Sequence, residues 1–167
     1  MEYNDYIFDL LKITLPAVIV LATTVIVLKK VIPRAGNGPD PTVSLRLQAY
    51  ERLVLLVERI SPASLFLRNH KPGLSATELN ALLIAEIRAE FEHNLTQQLY
   101  VSERSWQMTR TLKDKTVSMI NGIAQGLAEN ATGMDLTRAV LDHVSALEND
   151  PYQQTLALLR EEVKAFF

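Results

Sequence analysis

The sequence predicts an all-α protein with one N-terminal transmembrane helix, a flexible linker and a cytoplasmic bundle of about four to five helices. Three observations support this fold class. They are an uncharged run of 16 residues near the N-terminus, a segment rich in proline and glycine after it, and helical spacing of apolar residues beyond. We predict a membrane anchor over 1–32, a linker over 33–43 and a helical domain over 44–167.

The anchor centres on the run from Ile13 to Leu28 and is predicted to span about residues 7–30. The run alone gives roughly 24 Å of helix, slightly less than the ~30 Å core of a bilayer, so residues 7–12 complete the span. Lys29 and Lys30 follow directly, which indicates a retained stop-transfer segment and disfavours the alternative, a cleaved signal peptide. The run has no central ionisable residue, which is typical of a tether and not of a channel or transporter.

The distribution of charge predicts the orientation and the partners. Basic residues flanking a span favour the cytoplasmic side, so we place the N-terminus outside a bacterial inner membrane and the helical domain in the cytoplasm. The chain has no cysteine, which is compatible with a reducing compartment, and its formal net charge is −2. An acidic balance disfavours nucleic acid, which leaves the lipid bilayer and either a protein partner or self-association.

Each predicted helix of the domain has its own start or stop signal. Ser44 can cap the first helix, Ser75 and Glu78 form a capping box, and Ser102 caps a long helix. Pro151 after Asp150 fits the first position of the last helix. The helices are predicted over about 44–60, 75–93, 103–128, 136–147 and 151–166, with one further turn at 63–68. Residues 97–101 fit either an extended segment or a bend within one longer helix.

Two segments look familiar. The first reads LRLQAYERL at 45–53 and continues to ERISP at 58–62; the second reads EFEHNLTQQLYVS at 90–102, followed by Trp106. The chain resembles a family of small uncharacterised single-pass membrane proteins of the Bacteroidota. The similarity implies an N-terminal anchor and a helical cytoplasmic domain over nearly the whole chain, and it implies no activity.

Motifs that carry chemistry are weak in this sequence. Glu90 and His93 have the i, i+3 spacing of di-iron bundles, and Glu86 could approach Glu90, but a second such pair is missing and an exposed helix end is the simpler interpretation. His143 lies on a regular apolar stripe, where a core residue or the edge of a binding surface is favoured over catalysis. We therefore predict no catalytic, cofactor-binding or metal-binding residue and no cofactor.

Aromatic and charged residues suggest where the domain could make contacts. Tyr50, Trp106 and Tyr100, like His143, are candidates for an interaction surface, although core packing is favoured for the three aromatic residues. Glu51–Arg52 and Glu58–Arg59 stand seven residues apart beside an apolar face. This pattern is compatible with a helix–helix seam within the domain or between copies.

The leading hypothesis is a membrane-anchored, non-enzymatic adaptor or assembly subunit of an inner-membrane complex. The alternative is a tethered ligand-binding or sensory module whose small molecule enters near Trp106 and His143. A third hypothesis, an enzyme using Glu86, Glu90 and His93 with a metal, is the least favoured.

Overall fold

The computed structural model describes residues 2–31, 41–69 and 71–166, and within these ranges the chain is all-α without a strand. The α-helices are α1 (Glu2–Val31), α2 (Pro41–Ile60), α3 (Pro62–Asn69), α4 (Ala76–His93), α5 (Glu103–Gly126), α6 (Gly133–Ser145) and α7 (Pro151–Lys164), with a 3₁₀-helix at Leu95–Leu99. The chain divides into two compact units at Pro41, one containing α1 and the other the remaining helices. The predicted all-α class is confirmed.

The first unit is built on one long helix. Pro16 lies within α1 without ending it, and the hydroxyls of Thr23 and Thr24 donate to the carbonyl oxygen of Val20 at 2.9 and 2.7 Å. These threonines therefore satisfy their polar groups within their own helix. Every side chain from 14 to 29 is exposed. Within the part of the chain that was described, no helix combines the length and the apolar character needed to cross a bilayer.

The second unit contains six α-helices in its described part, so the predicted number of about four to five is wrong. The difference arises at α3, where only one further turn was expected. Proline is well tolerated at the first position of a helix, and Pro62 begins α3 there. Leu65 and Phe66 bury the apolar face of α3, which stabilises eight residues that would be marginal alone.

Helix ends differ from the predictions by a few residues. α2 begins at Pro41, ahead of the predicted cap at Ser44, and α5 ends at Gly126. The segment left open at 97–101 belongs largely to the 3₁₀-helix and matches neither alternative. It follows the end of α4, where the buried Asn94 side chain donates to the Glu90 carbonyl at 2.8 Å. The rest of the predicted linker, residues 33–40, lies outside the described residues.

The core of the second unit follows the apolar stripes of its helices. The stripe predicted for α6 is buried only in its first half, because His143 and Leu147 are exposed. The fully buried large side chains come from six helices: Tyr50, Leu53, Leu56, Val57 and Ile60 of α2, Leu65 of α3, Leu83 and Ile87 of α4, Ile120 of α5, Leu136 of α6, and Leu156 and Leu159 of α7. One hydrophobic core therefore joins α2 to α7.

The starts of α4 and α6 are paired across the bundle. Ser75 and Thr132 each cap their helix with a complete capping box and form an isolated antiparallel bridge with one another. The backbone N–H of Gly133 donates to the Leu74 carbonyl at 2.8 Å. In return, the backbone N–H of Ala76 donates to a carbonyl of the segment before α6 at 2.9 Å. This pairing fixes the two helix starts side by side, which no local sequence signal predicts.

Candidate functional site

A single carboxylate oxygen joins three helices of the bundle. Oε2 of Glu162 on α7 accepts hydrogen bonds from the hydroxyls of Tyr50 on α2 at 2.6 Å, Ser102 at 2.5 Å and Ser105 on α5 at 2.8 Å. We call these four residues the Glu162 cluster. The Tyr50 hydroxyl also accepts from the backbone N–H of Ser102 at 3.1 Å, which closes the network. The cluster therefore ties the C-terminal helix to the entry of α5 and to α2.

The hydrogen bonds of the cluster favour the ionised form of the Glu162 carboxylate. Partial burial raises the pKa of Glu162, but the hydrogen bonds from Ser102, Tyr50 and Ser105 outweigh it and leave the pKa below its ordinary value. Ser102 Oγ also accepts from the Ser105 backbone N–H as the cap of α5, so its hydroxyl is engaged on both sides. This geometry suits a structural cross-link, since each hydroxyl donates to the same anion.

The Glu162 cluster was missed by sequence reasoning. Its signal is the position of Glu162 on α7, three residues after the fully buried Leu159 and four before Phe166, which packs against the core. A charged residue on an apolar stripe needs hydrogen-bond partners. Those partners come from residues 57 to 112 positions away, so spacing alone could not identify them.

An apolar groove opens between α2 and α7. We call it the α2–α7 groove; it has a volume of about 470 Å³ and is lined by Leu47, Glu51, Val54, Leu55, Leu159, Arg160 and Val163. Leu159 is fully buried and forms the floor, while Leu55 is 59% exposed. Only Glu51 and Arg160 among these lining residues are charged. The groove is thus an apolar surface with one acidic and one basic side chain at its walls.

Glu86 and Glu90, the two carboxylates of the weak metal-binding motif, form ion pairs with arginine side chains. Glu86 accepts from the guanidinium of Arg68 at 2.6 Å and from the side-chain amide of Asn69, and Glu90 pairs with Arg59 at 2.9 Å. Partial burial raises the pKa of Glu86, but the bonds from Arg68 and Asn69 outweigh it and leave the pKa lowered. These pairs connect α2, α3 and α4, and they give both carboxylates a packing role.

A second opening lies where α5, α6 and the start of α7 meet. It has a volume of about 360 Å³, and its polar lining includes Lys115, Thr116, His143, Asn149 and Tyr152. The Tyr152 hydroxyl lies 2.7 Å from Thr116 Oγ1, and burial raises the pKa of Tyr152 to about 12. We call this opening the His143 cavity. Its volume is within the range of small-molecule sites.

The residues predicted as possible contacts lie in different places. Tyr50 is 1% exposed within the Glu162 cluster, and Trp106 is 5% exposed and stacks on Phe91 at 5.3 Å between ring centroids. The favoured core packing is confirmed for these two aromatic residues and is wrong for Tyr100, which is 41% exposed. His143 is exposed and lines the His143 cavity, which Trp106 does not line. The structure therefore does not bring Trp106 and His143 to one site.

The predicted anchor residues lie on α1. Leu28 and Lys29 are exposed at the end of the apolar run, while the side chains of Ile13 and Lys30 lie outside the described part. Exposed apolar side chains occupy much of the helix surface: Leu15, Val18, Ile19, Val20, Leu21, Val25, Ile26, Val27 and Leu28.

Comparison with known proteins identifies a family and assigns no activity. A family of unknown function, DUF7935, matches residues 5–166. No curated protein and no solved structure matches the chain. The match confirms that one family extends over nearly the whole sequence, as the two familiar segments implied. The chain belongs to the family of unknown function DUF7935.

Proposed function

We propose that this chain is a membrane-anchored, non-enzymatic adaptor or assembly subunit of a bacterial inner-membrane complex. In this proposal α1 is the anchor, with the N-terminus outside, and the bundle of α2–α7 is the cytoplasmic part that makes protein contacts. The observation that carries it is the run of exposed apolar side chains on α1, in the same chain as a bundle that has its own apolar groove.

The anchor is supported by the exposure of the apolar side chains of α1 and by the charges that flank them. Aliphatic side chains exposed over several turns of helix are unfavourable in water, at about 25 cal/mol per Å² of apolar area. The 16 uncharged residues give roughly 24 Å, and the helix continues to both sides over its 30 residues. Lys29 and Lys30 at the end of the run favour a cytoplasmic location for the bundle.

A role in assembly is supported by how the bundle uses its polar groups. Glu162, Glu86 and Glu90 are each bound by side chains from other helices, so they hold helices together. The hydroxyls of Ser102 and Ser105 donate to Glu162 and are used in the same way. Exposed apolar surface such as the α2–α7 groove is a common feature of protein–protein contacts.

The proposal is tested by isolating the full chain from membranes. A tagged full-length protein is crosslinked in cells, solubilised in mild detergent and analysed by mass spectrometry, with a tagged unrelated single-pass protein as the control. We expect reproducible crosslinks to a membrane complex or to a second copy. A strictly monomeric chain with no reproducible partner would refute the role in assembly.

A second candidate function rests on the His143 cavity. The imidazole of His143, the amine of Lys115 and the amide of Asn149 could supply polar contacts to a small molecule, as in a membrane-tethered sensory module. Native mass spectrometry of the full chain released from detergent separates the two functions. A retained small molecule of defined mass that is lost in a His143→Ala variant supports sensing, and its absence together with oligomers supports assembly.

A further inference from the structure

The α2–α7 groove has the properties of a surface that is covered in the working protein. Leu55 is 59% exposed on one wall, and Leu47, Val54 and Val163 are half-buried around the buried floor. The leucine and the aliphatic walls of this groove are in contact with water. Covering them with a complementary apolar surface lowers the free energy of the system.

The charges on the walls of the groove have opposite signs and are unused. Glu51 lies on α2 and Arg160 on α7, both are exposed, and among the described residues neither forms an ion pair or a hydrogen bond. Glu162, two positions after Arg160, contrasts with them because it binds three hydroxyls. An acidic wall facing a basic wall across an apolar floor makes the groove electrostatically complementary to itself.

We propose that the α2–α7 groove binds the same groove of a second copy of this chain. A twofold axis along the groove lays α2 of one copy over α7 of the other, so that each Glu51 faces Arg160 of the opposite copy. Leu55 of each copy then enters the apolar groove of the other. This proposal rests on the proposed function in one respect, because anchoring both copies in one membrane raises their effective concentration.

Self-complementary charge selects a second copy over a foreign helix. In a contact between two identical grooves, the acidic wall of each copy faces the basic wall of the other. Each interface therefore contains two pairs of opposite charge, Glu51 with Arg160 in both directions. A foreign partner would need its own basic and acidic residues in the reverse order. Opposite charges across an interface mainly set specificity and the rate of association, so charge reversal is the sharpest test.

The test uses two charge-reversal variants of the full chain in mild detergent, with association measured by sedimentation equilibrium. Glu51→Arg places like charges opposite one another in the pair of identical copies, and so does Arg160→Glu. Each variant alone is expected to associate about tenfold or more weakly than the wild type. An equimolar mixture of the two is expected to recover association, because Arg at 51 of one copy then faces Glu at 160 of the other.

Recovery in the mixture distinguishes an interface from damage to the fold, since a misfolded chain is not rescued by a second one. Leu55→Arg adds a direct test of the apolar contact, and Leu67→Arg is its control because Leu67 is 82% exposed on α3 and does not line the groove. Leu55→Arg is expected to abolish association and Leu67→Arg to preserve it. Fluorescence of the single tryptophan, Trp106, verifies that each bundle is folded.

Wild-type association in the single variants, or no recovery in their mixture, overturns the proposal. A monomeric wild type that co-purifies with another protein, lost in Leu55→Arg, also overturns it while the proposed assembly role stands. Conversely, charge-dependent dimers of a chain that alkaline extraction releases from membranes would support this interface and refute the membrane-anchored function.

Discussion

Replacing Glu162 by glutamine should destabilise the bundle while leaving its shape almost unchanged. The substitution keeps the size of the side chain and removes the negative charge that accepts hydrogen bonds from Tyr50, Ser102 and Ser105. Glutamine also presents an N–H₂ group, which cannot accept from a hydroxyl. The three donors from α2 and α5 then compete for one neutral oxygen.

The expected magnitude follows from the three contacts. A hydrogen bond to a charged group contributes about 1.5–3 kcal/mol and a neutral one about 0.5–1.5, so the loss is about 1 kcal/mol per bond. Because Glu162 is only partly buried, we discount the sum of three to about 2 kcal/mol. For a domain of about 125 residues this corresponds to a fall in Tm of about 8 °C.

The assay is thermal unfolding of the full chain at pH 7, followed by the fluorescence of Trp106, which is buried in the core and is the chain's one tryptophan. The matched control is Glu161→Gln, which removes the same charge from an exposed neighbour without a hydrogen bond among the described residues. It should change Tm by less than about 2 °C. Equal Tm values for the two variants would refute the role assigned to the cluster.

The effect of Glu162→Gln on Tm should also depend on pH. The folded pKa of Glu162 lies below its ordinary value of 4.5, so its stabilisation is present above that value and is lost as pH falls through the folded pKa. The difference in Tm between the wild type and Glu162→Gln should therefore be constant near neutral pH and should shrink below about pH 4.5. A difference that grows on acidification would contradict the lowered pKa.

Two further pairs of substitutions test the packing of the bundle. A Cβ at Gly133 would lie 3.1 Å from the Leu74 carbonyl oxygen, so Gly133→Ala should lower the free energy of unfolding in urea by about 1–2 kcal/mol. A Cβ at Gly122 would have nothing within 4 Å, so Gly122→Ala should raise the same free energy by up to about 1 kcal/mol. The Thr116 hydroxyl donates to a backbone carbonyl at 2.9 Å, so it accepts the hydrogen bond from the Tyr152 hydroxyl. Thr116→Val should therefore cost about 1–2 kcal/mol, because the buried hydroxyl of Tyr152 is left without an acceptor. Adding Tyr152→Phe should recover part of the loss, and a further loss of similar size would contradict this assignment.

Local signals predicted the starts of several helices, because capping involves residues only two or three positions apart. Ser75, Ser102 and Asp150 each accept hydrogen bonds from the first turns of their helices, as their positions in the sequence indicated. The apolar stripes predicted most of the core for the same reason. The 3₁₀-helix after α4 was not resolved by periodicity, since five residues are too few to distinguish a helix type.

Long-range contacts could not be predicted from one sequence. The bridge between Ser75 and Thr132 joins residues 57 positions apart, and the bond between Tyr50 and Glu162 joins residues 112 positions apart. For the α2–α7 groove, the apolar face of α2 was visible beside Glu51. Its other wall depends on α7 packing next to α2, which follows from the tertiary fold and not from spacing.

The most direct measurement of the proposed anchor is alkaline extraction of membranes from cells that produce the full chain. We expect the wild type to remain in the membrane pellet. A variant carrying Val20→Asp and Val25→Asp, which adds about 3 kcal/mol per charge to insertion at the centre of the apolar run, should shift to the supernatant. Release of the wild type with the peripheral proteins would contradict a membrane anchor in α1.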